Sequence, residues 1–354
     1  MPYTAMHDEP DDRRSGSKRY LFLLALNYFF LFAGSVSSSL LSKFYFIHKG
    51  SSRWASTFVQ SAGFPLLVPA IYILHYASGT DPASRRKPFS RFTPGQFLIS
   101  VIIGILLGIN NLLFSWGNSY LPISTNSLLL STQLLFTLVA SVLIVKEKVT
   151  FSNLNCVILL TLSSILIGLN SGHDRPDGVT RGKYFVGFVS TIGAGLLFAL
   201  YLPVMQRVYS GVNCYAMVVE MQLVMEIAST AFAVAGMAVS GGFAEMKAEM
   251  DHKFDLGPRA YVLTVGVNLV TWQLAFMGTA GMVYLTSSLT GGICMTALMA
   301  MNVVGGVLVY GDRFDGSKAV STALCLWGFS SYVHGMYKKK KSRDNGGGGG
   351  EESA

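Results

Sequence analysis

Residues 92–145 read FTPGQFLISVIIGILLGINNLLFSWGNSYLPISTNSLLLSTQLLFTLVASVLIV, and residues 260–311 read AYVLTVGVNLVTWQLAFMGTAGMVYLTSSLTGGICMTALMAMNVVGGVLVYG. Neither stretch contains Asp, Glu, Lys or Arg. About 20 apolar residues at about 1.5 Å each suffice to cross the roughly 30 Å hydrocarbon core of a bilayer, so each stretch is too long for one crossing and must fold back once. The first is expected to break at 117–122 and the second at 278–281. Each resumes with a Ser/Thr cluster, Ser124, Thr125 and Ser127 against Thr286, Ser287 and Ser288, and each is followed by a charged pair, Glu147-Lys148 against Asp312-Arg313.

Working outward, apolar windows predict helices over 20–41, 55–77, 97–116, 122–145 and 154–170, then over 184–204, 215–239, 261–279, 283–310 and 317–336. The fold class is therefore all-α, a polytopic membrane protein of about ten transmembrane helices. If the third and fourth helices match the eighth and ninth, the unit is five helices. An odd unit inserts its second copy upside down, which gives two inverted five-helix repeats, 20–170 and 184–337, joined by a loop over 171–183. Inverted repeats of this kind characterise secondary transporters, with the substrate site near the midplane between them.

Composition agrees: 51% of the 354 residues are apolar and 13% charged, where a soluble domain carries roughly a quarter charged. Residues 1–19 are polar and basic and hold no signal-peptide core, so the first apolar run reads as a retained anchor. Residues 1–19 and 338–354 are expected to be cytoplasmic tails, the second basic and then Gly-rich, with 1–19 and the Gly-run after Arg343 disordered. With both ends inside, 16 of the 27 Lys and Arg fall on the cytoplasmic side, in keeping with the positive-inside bias.

The net charge of +8 does not point to nucleic acid, because Lys338 to Lys341 and Arg343 directly follow the last apolar segment, where such clusters face anionic lipid. Cys156, Cys214, Cys294 and Cys325 are scattered singly and imply neither disulfides nor a metal. Hydrolase, zinc-protease and nucleotide-binding motifs are absent, which leaves no enzyme class and no cofactor to expect.

The chain also resembles the plant purine permeases within the drug/metabolite transporter superfamily. The resemblance covers nearly the whole helical region and is most specific at FSWGNSYLPISTNSL (114–128), Glu220-Met-Gln222, Thr271-Trp-Gln273 and LCLWGFSSY (324–332). It implies proton-coupled uptake of adenine-like nucleobases, cytokinins and related heterocycles or alkaloids, and the same ten-helix, two-repeat fold. The plasma membrane is the expected location, with the endoplasmic reticulum or vacuolar membrane as alternatives. One departure concerns the end of the sixth helix, where members of the family often carry an acidic residue. Here the chain reads Leu202-Pro-Val-Met-Gln206-Arg207, which supplies no carboxyl for proton coupling at that position.

Charged groups inside membrane helices cost about 2.5–3.5 kcal/mol at the centre and so mark cavities or partners. Helix seven carries Glu220 and Glu226, six positions and about 240° apart, so that one can serve a proton while the other pairs. In helix four, Asn126 and Gln133 share a narrow face, and an amide offers the donor and acceptor that a purine edge needs. In helix eight, Asn268 and Trp272 share a face with Gln273 turned off it, and Trp272 could stack on a flat ring. Asn110, Asn111 and Trp116 lie towards the end of helix three, at the mouth of a cavity, although a Trp there also reads as an interfacial anchor. Gln222, from the family-like Glu-Met-Gln, and Asn302 complete the substrate-side candidates. Interhelical polar glue is the competing explanation for all of them. The reading is a carrier of purine-type substrates and protons in a lipid bilayer, with a passive facilitator, or a carrier of an alkaloid or vitamin-like heterocycle, as the alternative.

Overall fold

A computed structural model describes residues 10–77, 87–90, 92–130, 133–146, 176, 178–212 and 214–346, with isolated positions between 151 and 166. Among the described residues all regular structure is helical, and eight helical spans are long and apolar enough to cross a membrane. In chain order the helices are α1 (Pro10–Ile47), α2 (Arg53–Ser61), α3 (Leu67–Ala77), α4 (Pro94–Tyr120), α5 (Ile123–Leu130) and α6 (Gln133–Ala140). They continue as α7 (Arg181–Tyr209), α8 (Tyr215–Ser240), α9 (Gly242–Ala248), α10 (Pro258–Leu285), α11 (Ser288–Tyr310) and α12 (Gly316–Gly346).

Local chemistry sets most boundaries. Thr93 and Gln96 form a reciprocal capping box and Pro94 occupies the first turn, where its missing N–H costs nothing, so α4 starts there. Ser52, Thr180 and Ser287 cap α2, α7 and α11 by accepting backbone N–H groups. Gly241 and Gly311 end α8 and α11 in the left-handed region.

Several expectations are corrected. The second span breaks at Thr286–Ser287, not at 278–281, because α10 runs on through both glycines. Gly278 and Gly281 are contact points: a Cβ there would lie 2.3 Å from the Leu31 backbone nitrogen and 1.8 Å from Asn27 Oδ1 of α1. The first span breaks at Leu121–Pro122. The second predicted helix is divided at Ala62–Gly63 and by a 3-10 turn over Phe64–Leu66 that holds Pro65. The polar flanks 10–19 and 338–346 continue α1 and α12, since a proline at the first position and a run of lysines are compatible with helix. The expected helix over 154–170 lies largely outside the described residues, but its Asn155 and Ser163 hydrogen-bond Ser331 and Ser321 of α12.

Pairing fixes the direction of each helix. α1 lies antiparallel along α10, from Tyr20 beside Leu285, through Gly34 beside Ala275, to Tyr45 beside Tyr261. α4 packs antiparallel to α7 and parallel to α8, where Gly104 and Gly108 admit Met225 and Phe232. The starts of α1, α4, α8 and α11 therefore share one face, here the tail face, and the loops after α1, α4, α8 and α11 share the far face. On the far face, fully buried Glu249 accepts hydrogen bonds from Tyr45 Oη at 2.6 Å and from the backbone N–H groups of Ser51 and Ser52 at 2.7 and 2.8 Å. That carboxylate ties the first far-face loop to the loop before α10.

Overpacking a tight helix contact costs about 1–3 kcal/mol. Gly281→Ala is therefore expected to lower the thermal unfolding midpoint in detergent by several degrees. Gly266→Ala on the same helix, where a Cβ meets nothing within 4 Å, should leave it unchanged.

Candidate functional site

Halfway through the depth of the bundle, α1, α2, α4, α7, α10 and α11, with the end of α5 and start of α6, surround a cavity. Its aromatic wall is built by Trp272 and Phe276, one turn apart on α10, with Phe114 of α4 standing edge-on to Trp272 at a centroid distance of 5.4 Å. Trp272 is pinned, because its indole N–H donates to Ser42 Oγ of α1 at 3.2 Å.

The polar wall consists of amides. Gln60 Nε2 donates to Ser115 Oγ at 2.8 Å and to the Asn111 carbonyl at 3.1 Å, while its Oε1 has no partner among the described residues. Asn302 donates to Ser39 Oγ at 3.2 Å and its Oδ1 is likewise unpartnered. Asn110 Oδ1 and Asn111 Nδ2 are unpartnered as well, and Gln133 lines the same space. A buried polar group without a partner costs about 1–3 kcal/mol, so a flat ligand with donors and acceptors along its edge is favoured where these amides converge.

Five of the residues expected at the cavity, Gln133, Asn110, Asn111, Trp272 and Asn302, thus meet there. The others lie elsewhere. Asn268 joins Trp272 in donating to Ser42 Oγ, one turn away from the cavity. Asn126 donates to Asn118 Oδ1 at 2.7 Å and accepts from Thr191 Oγ1 at 2.6 Å, a junction of α4, α5 and α7. Trp116 lies under the Arg53 guanidinium, 4.5 Å from ring centroid to Cζ. Gln60 and Phe276 were not singled out from sequence. Phe276 sits four residues after Trp272 and so shares its helix face, a signal that was available. Gln60 gave none, since its partners Asn111 and Ser115 come from another helix.

Gln222 and Gln273 belong to a second site behind the aromatic wall. Both donate through Nε2 to Glu226 Oε1, at 2.8 and 3.1 Å. Glu226 is fully buried, and among the described residues its Oε2 and the carbonyl oxygens of both glutamines have no partner. Gln273 follows Trp272 in sequence, and Gly63, at the break between α2 and α3, packs against its side chain. The carboxyl is thus linked to the cavity through neighbouring residues on α10 and α2. Glu220 is differently placed, near the tail face, where its Oε1 accepts from His75 Nε2 at 2.7 Å and from the Phe89 N–H at 3.0 Å. Among the described residues no group of three metal-ligating side chains forms.

Residues 22–342 match a protein family described as purine nucleobase transmembrane transport. An Arabidopsis thaliana protein named probable purine permease 4 is 63% identical over 295 residues, 83% of this chain and 76% of its own length. Purine permease 3 of the same plant is 32% identical over 320 residues, covering 89% of this chain and 91% of its own. A solved crystal structure matches with a TM-score of 0.54 over 88% of this chain and 98% of its own, at 13% identity, a likeness of fold alone.

The two carboxyls differ in what their loss removes. Hydrogen bonds to a charged group contribute about 1.5–3 kcal/mol each. Glu220→Ala is expected to lower the thermal midpoint in detergent by several degrees, whereas Glu226→Gln, which keeps an acceptor for both glutamine N–H groups, should leave it unchanged.

Proposed function

The chain belongs to the plant purine permease family of nucleobase transporters, and on that premise we propose that it is a proton-coupled, alternating-access carrier of purine nucleobases and derivatives such as cytokinins. The observation that carries this reading is the cavity with one aromatic and one amide wall. A purine ring stacks on Trp272 and Phe276, and its edge meets Asn110, Asn111, Asn302, Gln60 and Gln133. Stacking supplies affinity with little regard to substituents, and the amides supply orientation.

Glu226 carries the coupled proton in this mechanism. A charged carboxylate moved through the dry core costs several kcal/mol, whereas the protonated acid does not, so the loaded carrier reorients only with a proton on Glu226. The link to substrate runs through Gln273, which holds the carboxyl on one side and adjoins Trp272 on the other. Glu220, already satisfied by His75 and the Phe89 N–H, serves to hold the tail-face end of α3 against α8.

The carrier is built of ten helices in two inverted repeats, 20–170 and 184–337. Support comes from a constant sequence separation that relates Gly117 to Gly281, Asn27 to Thr191 and Ser124 to Ser288. Gly117 abuts Thr191 as Gly281 abuts Asn27, with the helix roles exchanged. The plasma membrane is the proposed location.

The test is uptake of radiolabelled adenine by nucleobase-uptake-deficient cells expressing the chain, with and without protonophore, competed by trans-zeatin and caffeine. Concentrative uptake that protonophore abolishes and purines compete is the expected outcome. Equilibration insensitive to protonophore would replace the proposal with a passive facilitator, and absent uptake would point to an alkaloid or vitamin-like heterocycle. Trp272→Ala should raise KM about tenfold, the loss of one stacking contact. Glu226→Gln should abolish accumulation against a gradient while substrate exchange persists.

A further inference from the structure

The cavity does not end at its amide wall. Asn110 and Phe198 line it and also line a second void, which lies between α4 and α7 and extends from the cavity towards the tail face. The register of these two antiparallel helices explains it. On the far-face side they close on glycines of α7, where a Cβ on Gly187 would lie 2.9 Å from Tyr120 and one on Gly193 3.3 Å from Leu113. After Gly195, α7 carries no further glycine. Leu197, Tyr201 and Val204 there line the void opposite Ile103 and Leu107 of α4, and side chains of that size keep the two backbones from closing.

The chemistry changes at the junction. Asn110, 9% exposed, makes one long contact from Nδ2 to Asn111 Oδ1, at 3.5 Å, and among the described residues its Oδ1 has no partner. Beyond Asn110 and Phe198 the lining is hydrocarbon apart from the Tyr201 hydroxyl, and Ile103, Leu107 and Tyr201 are buried. Such a lining offers polar atoms little in exchange for water and favours hydrocarbon. Asn110 therefore stands at the threshold with an acceptor for one N–H. The stretch of α4 from Asn110 back to Ile103 is about 10 Å long, which limits what can follow that N–H to a short chain.

We propose, resting on the purine reading of the cavity, that this annex holds a short hydrocarbon group carried on the exocyclic nitrogen of the substrate, and that Ile103, Leu107 and Val204 thereby set a preference for alkylated over bare nucleobases. Asn110 lies one turn from Phe114, which stands against Trp272, so a ring stacked on Trp272 brings its edge to Asn110. A secondary exocyclic amine keeps one N–H, which donates to Asn110 Oδ1 while the substituent passes Phe198 into the annex. A free amino group makes the same hydrogen bond and leaves the annex unfilled. A tertiary amine fills the annex and has no N–H left to donate. Each methylene buried in such a lining is a gain in affinity of about fourfold.

The test reads binding alone, from the concentration dependence of thermal stabilisation of the full chain in lipid nanodiscs. The probes are adenine and its N6-methyl, N6-propyl and N6-isopentenyl derivatives. The apparent Kd is expected to fall along that series, by about tenfold or more from adenine to the isopentenyl compound. N6,N6-diethyladenine should bind about tenfold more weakly than its isomer N6-butyladenine, the loss of one hydrogen bond. Val204→Phe, which fills the annex, should bring the isopentenyl and adenine constants together. If that variant does not fold, Leu197→Ala decides, because a widened annex should move the preference from the isopentenyl to the larger N6-benzyl compound. Stabilisation by adenine without a gain along the series, a gain that survives Val204→Phe, or equal binding of the two isomers would overturn the annex and leave the purine site standing, the void then being a crevice for a lipid chain. Stabilisation by none of the probes would overturn the purine reading and the annex with it.

Discussion

Hydrocarbon offers no partner to a backbone N–H or C=O, and everything else in this protein follows from how that requirement is met wherever a helix stops inside the bundle. Three interruptions test it, at Ala62–Gly63, Leu121–Pro122 and Thr286–Ser287. Local turns answer part of it, as where the N–H groups of Leu121 and Thr286 reach the carbonyls of Gly117 and Met282. Side chains from distant helices answer the rest. Lys43 covers the carbonyl of Leu121, Asp312 the N–H of Ser124 and Gln206 the N–H of Ser288. Because those side chains belong to other helices, each interruption is also a joint between them, and joints are where a transporter can move.

The two glutamates of α8 illustrate how environment divides identical groups into different roles. Glu220 lies one turn in from the tail face, within reach of His75 and of a backbone N–H in the loop before α4, and both of its functions as a charge are met. Glu226 lies deep, where two glutamine amides serve one oxygen and leave the other without a partner. A carboxyl in the first setting is engaged by a side chain of α3 and a backbone N–H. In the second it has an oxygen to spare and a direct neighbour, Gln273, adjoining the cavity wall.

The site itself shows why polar stripes on membrane helices read ambiguously. Asn126 and Gln133 lie on one face of the same predicted helix, yet Asn126 is consumed by Asn118 and Thr191 while Gln133 looks into the cavity. Residue type and spacing are alike for both. What separates them is which neighbouring helix arrives at each level, and that depends on glycines such as Gly117, against which Asn126 and Thr191 pack.

Sequence alone determined that the chain is a helical membrane protein, that its two charge-free spans fold back, and that one membrane helix carries two carboxyls, Glu220 and Glu226. These properties depend on hydrophobicity and run length, which are local and additive. It also placed the family, through the resemblance of short stretches such as 114–128 and 324–332. The position of the second fold-back was misread because Gly278 and Gly281 look like breakers in one dimension and act as contact surfaces in three. Gln60 as a cavity residue, His75 as the partner of Glu220 and Lys43 as the cap of α4 were decided only by the tertiary structure. Each of these contacts joins residues more than 50 positions apart. No local pattern encodes such a pairing; it exists only once the helices have packed.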